Sequence, residues 1–111
     1  MLIEKLNPLR DPDWLASFKD KDCLARNVAH SCSGDVVGHH LKLGWYGKGI
    51  KPDDRHTVAL CDGHHRTLQQ QPERAFWVMV FNESPHALTE VLRGYAGLKY
   101  EEWKRETESA R

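Results

Sequence analysis

An α+β fold is predicted by three features of this 111-residue sequence. Two short β-prone segments flank a glycine-rich connection, a helix opens directly after the second of them, and amphipathic helical segments stand at both ends. The stretch Asp35 to Leu41 offers Val36 and Val37 for a strand ending in His39-His40, and Thr57 to Leu60 is the second strand. Gly44, Gly47, Gly49 and Pro52 make the stretch between them a loop. Asp62 or Gly63 then caps a helix from His64 to about Gln70, so a core over about residues 32–70 reads strand, strand, helix.

The flanks read as helix. Asp11 caps and Pro12 begins a helix over about 12–20, with Trp14, Leu15 and Phe18 on one face. Lys21 to Gly34 is polar, holds two cysteines and is expected to be a loop. In the C-terminal part, about 72–110, Pro72 starts a helix with Phe76, Trp77, Val80 and Phe81 inward. Ser84-Pro85 starts another, carrying Leu88, Val91 and Leu92 and stopping at Gly94. From Leu98 onward Glu101/Arg105 and Lys104/Glu108 have the i,i+4 spacing of a solvated final helix. Residues 1–111 are expected to form a single domain, since this length suits one modest core.

Composition narrows the partners less than distribution does. Sixteen Lys plus Arg balance sixteen Asp plus Glu, so net charge points to no nucleic acid. Yet His39 to Lys51 contains two His and three Lys with no acid, while the last eleven residues hold four Glu, which concentrates positive potential beside the histidines. Apolar runs such as Ala75 to Phe81 fall far short of a bilayer span. The first residues lack the layout of a secretion signal, so a cytoplasmic protein with no membrane partner is expected.

Three cysteines cannot all pair within one chain, and beside seven histidines they point to metal ligation. Cys61-x-x-His64 at the mouth of a helix has the spacing of half a zinc site, because two intervening residues let one turn aim both side chains at one ion. Cys23 and Cys32 would complete a tetrahedral Cys3His set if the loop folds back, with His30 as an alternative to one of them. His39-His40 and His65 lie on opposite arms of the strand, strand, helix unit. Adjacent residues on a regular strand face opposite sides, so both histidines reach one site only if the strand ends or kinks there.

From Cys32 to Gln70 the order of motifs is a histidine pair, a Gly-rich connection, and a leucine-cysteine-x-x-ligand-histidine ending. This order resembles the HNH (ββα-metal) endonuclease superfamily, and most closely a phage and prophage subgroup similar to the recombination-enhancement nucleases. Pro8 to Pro12 (PLRDP) and Gly49 to Asp54 (GxKPxD) match segments of that subgroup. The resemblance covers about two thirds of the chain.

The resemblance implies a DNA endonuclease with one structural zinc and one catalytic divalent cation, Mg²⁺ or Mn²⁺, with Ni²⁺ and Zn²⁺ as further candidates. By position it makes His39 and His65 ligands of the catalytic metal and His40 the general base, giving products with 5′-phosphate and 3′-hydroxyl ends. It also suggests a recombinase filament as a partner. An imidazole can take a proton from an attacking water at ordinary pH. His56 stands where the family has its middle asparagine, and Asp54 is an equal candidate for the group that supports His40. Gln69, one helical turn beyond His65, replaces a histidine that related sequences often carry.

Lys42, Lys48, Lys51, Arg55 and Arg66 surround these motifs as candidate phosphate contacts, and Trp45 and Tyr46 as candidate stacking groups. Two other readings stand beside the nuclease. One is a zinc-stabilised DNA-binding or recombination-accessory module without activity, motivated by His56 and Gln69. The other is a structural zinc domain that offers its C-terminal helices to protein partners.

Overall fold

The chain enters its fold through α1 (Pro12–Ala16), where the Asp11 carboxylate accepts from Trp14 N and Pro12 supplies a first residue that needs no N–H partner. The computed structural model describes residues 9–42, 53–82 and 85–109, with Pro85, His86, Ala87 and Thr89 in backbone only. The loop expected between the strands, with Trp45, Tyr46, Lys48 and Lys51, lies outside the described residues. The helix expected to reach Asp20 tightens after Ala16 into a 3-10 turn, Ser17–Asp20. At that junction Ser17 Oγ donates to Trp14 O.

An antiparallel pair forms the centre. β1 (Val36–His40) runs beside β2 (Thr57–Cys61) in the register Val36↔Cys61 through His40↔Thr57. Every residue of β2 is buried. Alternation sorts them: Val58 and Leu60 join Leu41, Leu68, Phe76, Trp77, Leu88 and Leu92 in the larger core cluster, while Ala59 joins Trp14, Phe18 and Tyr100 in the smaller one. Two strands alone are marginal, so burial of both faces under helices stabilises the pair. On β1, a Cβ at Gly38 would lie 2.8 Å from Thr57 Cγ2 and 3.1 Å from the Phe18 ring, so glycine lets the 3-10 turn sit on the strand.

α2 (Asp62–Gln69) follows β2 without a loop, and its cap is not Asp62 or Gly63 but Cys61, whose sulfur accepts from His64 N. α3 (Glu73–Phe81) buries Phe76 and Trp77 and ends at Asn82 in the left-handed conformation, φ 55°. Phe81, expected inward, is exposed and stacks on Trp77 instead. The break expected at Gly94 is absent, because α4 runs unbroken from Pro85 to Ser109. Leu88, Leu92, Ala96 and Tyr100, four residues apart, form one buried line, and their packing outweighs the roughly 1 kcal/mol that a mid-helix glycine costs. Val91, also expected inward, is 62% exposed. No helix among the described residues is long and apolar enough to cross a membrane.

The buried line makes α4 testable. Leu92→Ala should lower unfolding free energy by about 2–5 kcal/mol in urea titration, whereas Val91→Ala should stay within about 0.5 kcal/mol of the parent. Gly94→Ala should stabilise by about 0.5–1 kcal/mol, since nothing lies within 4 Å of the added Cβ. A loss in that variant would show that the helix is broken at Gly94.

Candidate functional site

The Cys23–Cys32 loop folds back on the β2–α2 junction as a Cys3His set requires. Leu24 N donates to Ala59 O at 2.8 Å, which lays Cys23 beside β2. Asn27 and Ala29 take positive φ and turn the chain, and Gly63 N donates to Ser33 O behind Cys32. The sulfurs of Cys23, Cys32 and Cys61 stand 3.6, 3.7 and 3.1 Å from His64 Nδ1, and all four donor atoms lie within 4.8 Å of one another. Tetrahedral zinc with bonds of about 2.3 Å to sulfur and 2.0–2.1 Å to nitrogen puts such atoms roughly 3.6 Å apart. The group could therefore hold a zinc ion.

The surroundings suit a cation. His64 Nε2 donates to Val28 O at 2.8 Å, which leaves Nδ1 with its lone pair toward the sulfurs. Burial pushes the Cys23 thiol up to about 11. Burial opposes ionisation of Cys61 as well, but hydrogen bonds, led by those from the His64 and Ser33 backbone, outweigh it and bring the thiol down to about 6. A divalent ion would offset the repulsion among the thiolates. His30 takes no place in the set: its ring stacks on His64 at 4.2 Å, and its nitrogens meet Ser31 O and Thr67 Oγ1.

At the far end of the strand pair β1 ends at His40, so strict alternation need not hold beyond His39, and the two rings take different partners. His39, 7% exposed, lies between two groups. Its Nδ1 is 3.2 Å from His65 Nε2 on α2, and its Nε2 is 3.2 Å from Glu73 Oε2 at the start of α3. His65 is held below the usual histidine range by burial and by the neighbouring His39. For Glu73, burial disfavours the charge, but His39, Trp77 and the Lys42 backbone N–H more than compensate and lower its pKa.

His40 closes β1, and its Nε2 meets Asp54 Oδ1 at 2.8 Å. Asp54 is 3% exposed, and its carboxylate is fully engaged: Asp11 N donates to Oδ2 at 2.7 Å, and Arg10 lies 3.5 Å from Oδ1. Trp14 Nε1 donates to its carbonyl, and its own N–H donates to Leu9 O. Next to it, Asp53 accepts from Leu9 N. Leu9 to Asp11 and the Asp53-Asp54 pair are thus zipped together behind His40. A carboxylate can only accept here, so Nε2 carries the proton and Nδ1 is left as the basic nitrogen. Of the two candidates for supporting His40, Asp54 makes the contact. His56 instead gives its backbone carbonyl to Leu41 N and its N–H to Asp53 O, with burial lowering its ring pKa.

The candidate phosphate contacts divide. Lys42 and Arg66 are exposed, as is Gln69. Arg55 is committed to Asp53 through Nε at 3.1 Å and Nη2 at 3.0 Å, an arrangement that raises its pKa further. Sequence reasoning missed Glu73, which looks like an ordinary first-turn acid after Pro72. It also missed Tyr100, whose hydroxyl donates to Asp11 Oδ2 at 2.9 Å and ties α4 to the segment behind His40. The i,i+4 line ending at Tyr100 was the available signal for the second; nothing local marked the first.

Zinc binding of about 10–16 kcal/mol is comparable to the whole stability of a small domain, about 5–15 kcal/mol. The purified chain should therefore carry one tightly held zinc, lost in Cys61→Ser, and chelation should unfold it. A stripped chain with an unchanged melting temperature would contradict a structural role. Family models, curated proteins and solved structures were each compared with the chain, and none matches it.

Proposed function

We propose that this chain is a metal-dependent HNH endonuclease that hydrolyses DNA phosphodiester bonds, of phage or prophage type. The observation that carries this reading is the His40–Asp54 hydrogen bond at 2.8 Å, one residue from the converging nitrogens of His39 and His65. A base held by a buried carboxylate beside a pair of imidazole nitrogens is the donor set that metal-assisted hydrolysis needs. In this reading the strand pair and α2 correspond to the ββα-metal core, with the Cys3His group as its structural zinc.

His39 and His65 would hold a divalent cation, Mg²⁺ or Mn²⁺ being favoured over Ni²⁺ and Zn²⁺. The 3.2 Å between these nitrogens is a hydrogen-bond distance, and it also lies within the roughly 3.0–3.4 Å that bonds of about 2.0–2.1 Å, as zinc makes to nitrogen, would set between adjacent ligands. When bound, such an ion supplies Lewis-acid stabilisation of a phosphate oxygen and of the departing 3′ oxygen. His40 Nδ1 takes the proton of the attacking water, and Asp54 keeps the ring oriented through Nε2. Two ligands from the protein leave positions for water and substrate. Lys42 and Arg66, with Lys48 and Lys51, are proposed to meet the phosphates of the strand. A recombinase filament is the proposed protein partner.

Gln69 favours a second reading, a DNA-binding or recombination-accessory module without activity. It is exposed one turn beyond His65, and glutamine binds metals poorly. Cleavage assays on single-stranded, duplex and supercoiled DNA across Mg²⁺, Mn²⁺, Ni²⁺ and EDTA separate the two. The nuclease reading expects metal-dependent cutting that falls about 10²–10⁴-fold in His40→Ala and about 10–100-fold in Asp54→Asn. Equal cutting by a folded His40→Ala chain would sink the mechanism, and binding without cleavage in every metal would favour the accessory module.

A further inference from the structure

We infer that Glu73 is a positioning residue for the candidate catalytic metal, the carboxylate that sets the tautomer of His39 and aims its Nδ1 at the ion. The inference rests on the reading of His39 and His65 as metal ligands and adds to it a residue from a different helix.

The geometry around His39 is directional. Nδ1 and Nε2 of one imidazole diverge, and here they face different partners, His65 Nε2 on one side and Glu73 Oε2 on the other, each at 3.2 Å. Glu73 therefore sits on the far nitrogen, outside the position between the two histidines. His39 Nε2 is buried and makes no hydrogen bond of good geometry, but an anionic oxygen 3.2 Å away repels a lone pair and attracts an N–H, so Glu73 favours the hydrogen on Nε2 and the lone pair on Nδ1. Two imidazole lone pairs 3.2 Å apart repel unless a proton or a cation lies between them. The carboxylate thus favours the tautomer in which His39 can bind a cation together with His65.

Glu73 is itself held in place. Trp77 Nε1 donates to Oε2 at 3.1 Å from one turn along α3, and Lys42 N stands 3.3 Å from both oxygens. The side chain is only 11% exposed, which limits its freedom to turn away. Lys42 lies two residues beyond the end of β1, so the same carboxylate also fastens the exit of the strand that carries both histidines. Carboxylates that accept from the far nitrogen of a ligand histidine characteristically change metal affinity by 10–100-fold when removed.

The test uses the full chain with its Cys3His site loaded with zinc, titrated with Mn²⁺ by calorimetry and followed by electron paramagnetic resonance. The wild type should bind one Mn²⁺, His39→Ala should lose it, and Glu73→Gln should bind about 10–100-fold more weakly. The ¹⁵N-histidine spectrum of the wild type before Mn²⁺ is added should show His39 protonated on Nε2 and not on Nδ1. Binding by Glu73→Gln within about twofold of wild type overturns the role of Glu73 while leaving the metal reading intact. Absence of Mn²⁺ binding in the wild type, or undiminished binding in His39→Ala, overturns the metal reading and this inference with it. If Glu73→Gln fails to fold, the wild-type spectrum decides, because a hydrogen on His39 Nδ1 refutes the assignment without any variant.

Discussion

The five-residue register between β1 and β2 is the constraint on which both candidate sites depend. It pairs Val36 with Cys61 at one end and His40 with Thr57 at the other. The first end carries Cys61 and leads into His64, and the second carries His39 and His40 and abuts Asp54. Because side chains alternate along a strand, a slip of one residue would turn each β1 side chain toward the other face of the pair. His39 would lose His65 and Glu73, and His40 would lose Asp54. The slip is opposed by the sorting of β2 into two clusters, since it would also misalign β1 with a strand buried at every position. Core packing and site geometry are one requirement here.

The second layer of support comes from elements distant in sequence. Asp11 caps α1, donates its N–H to the Asp54 carboxylate and accepts the Tyr100 hydroxyl, so three parts of the chain meet at one residue. Tyr100 is the last of the buried line on α4. Burial, and then its hydrogen bond to Asp11, raise its hydroxyl to about 12, so this donor keeps its proton at any ordinary pH. The long C-terminal helix thus does more than cover the core: it holds the segment that holds the partner of His40.

Much of this was legible in the sequence because it is encoded locally. Val36 and Val37 before the histidine pair, the Cys61-x-x-His64 spacing and the Asp11-Pro12 cap each correspond to a structural element at its expected place. The convergence of Cys23 and Cys32 on that spacing could be inferred because lone cysteines in a histidine-rich chain need a common partner. What escaped was tertiary. Gly94 weakens a helix locally, and only the packing of Leu88, Leu92, Ala96 and Tyr100 reveals that α4 continues. Asp54 and His56 could not be ranked from spacing, because the choice depends on Asp11 and Arg10 arriving from more than forty residues away. Glu73 carried no signal at all, since an acid in the first turn of a helix is favourable without any other role.

The distribution of cations bears on how such a site would meet its substrate. The Arg55 guanidinium spends its donors on Asp53, whose carboxyl it helps hold down at about 2 against the opposing effect of burial. That pair braces the Asp53–Asp54 turn behind His40, so Arg55 serves the site by fixing its geometry, and a phosphate would have to compete with a carboxylate for it. With sixteen basic residues balanced by sixteen acidic ones, the chain has no general electrostatic attraction for a polyanion. In the proposed nuclease, affinity for DNA would then come from the few cations near the histidines in sequence and from the proposed metal. Each phosphate neutralised contributes about 0.7–0.9 to the slope of log affinity against log salt, so a small group implies a shallow dependence. If the proposed nuclease reading holds, such a chain would bind DNA weakly on its own, and its place of action would be set by whatever brings the strand to it.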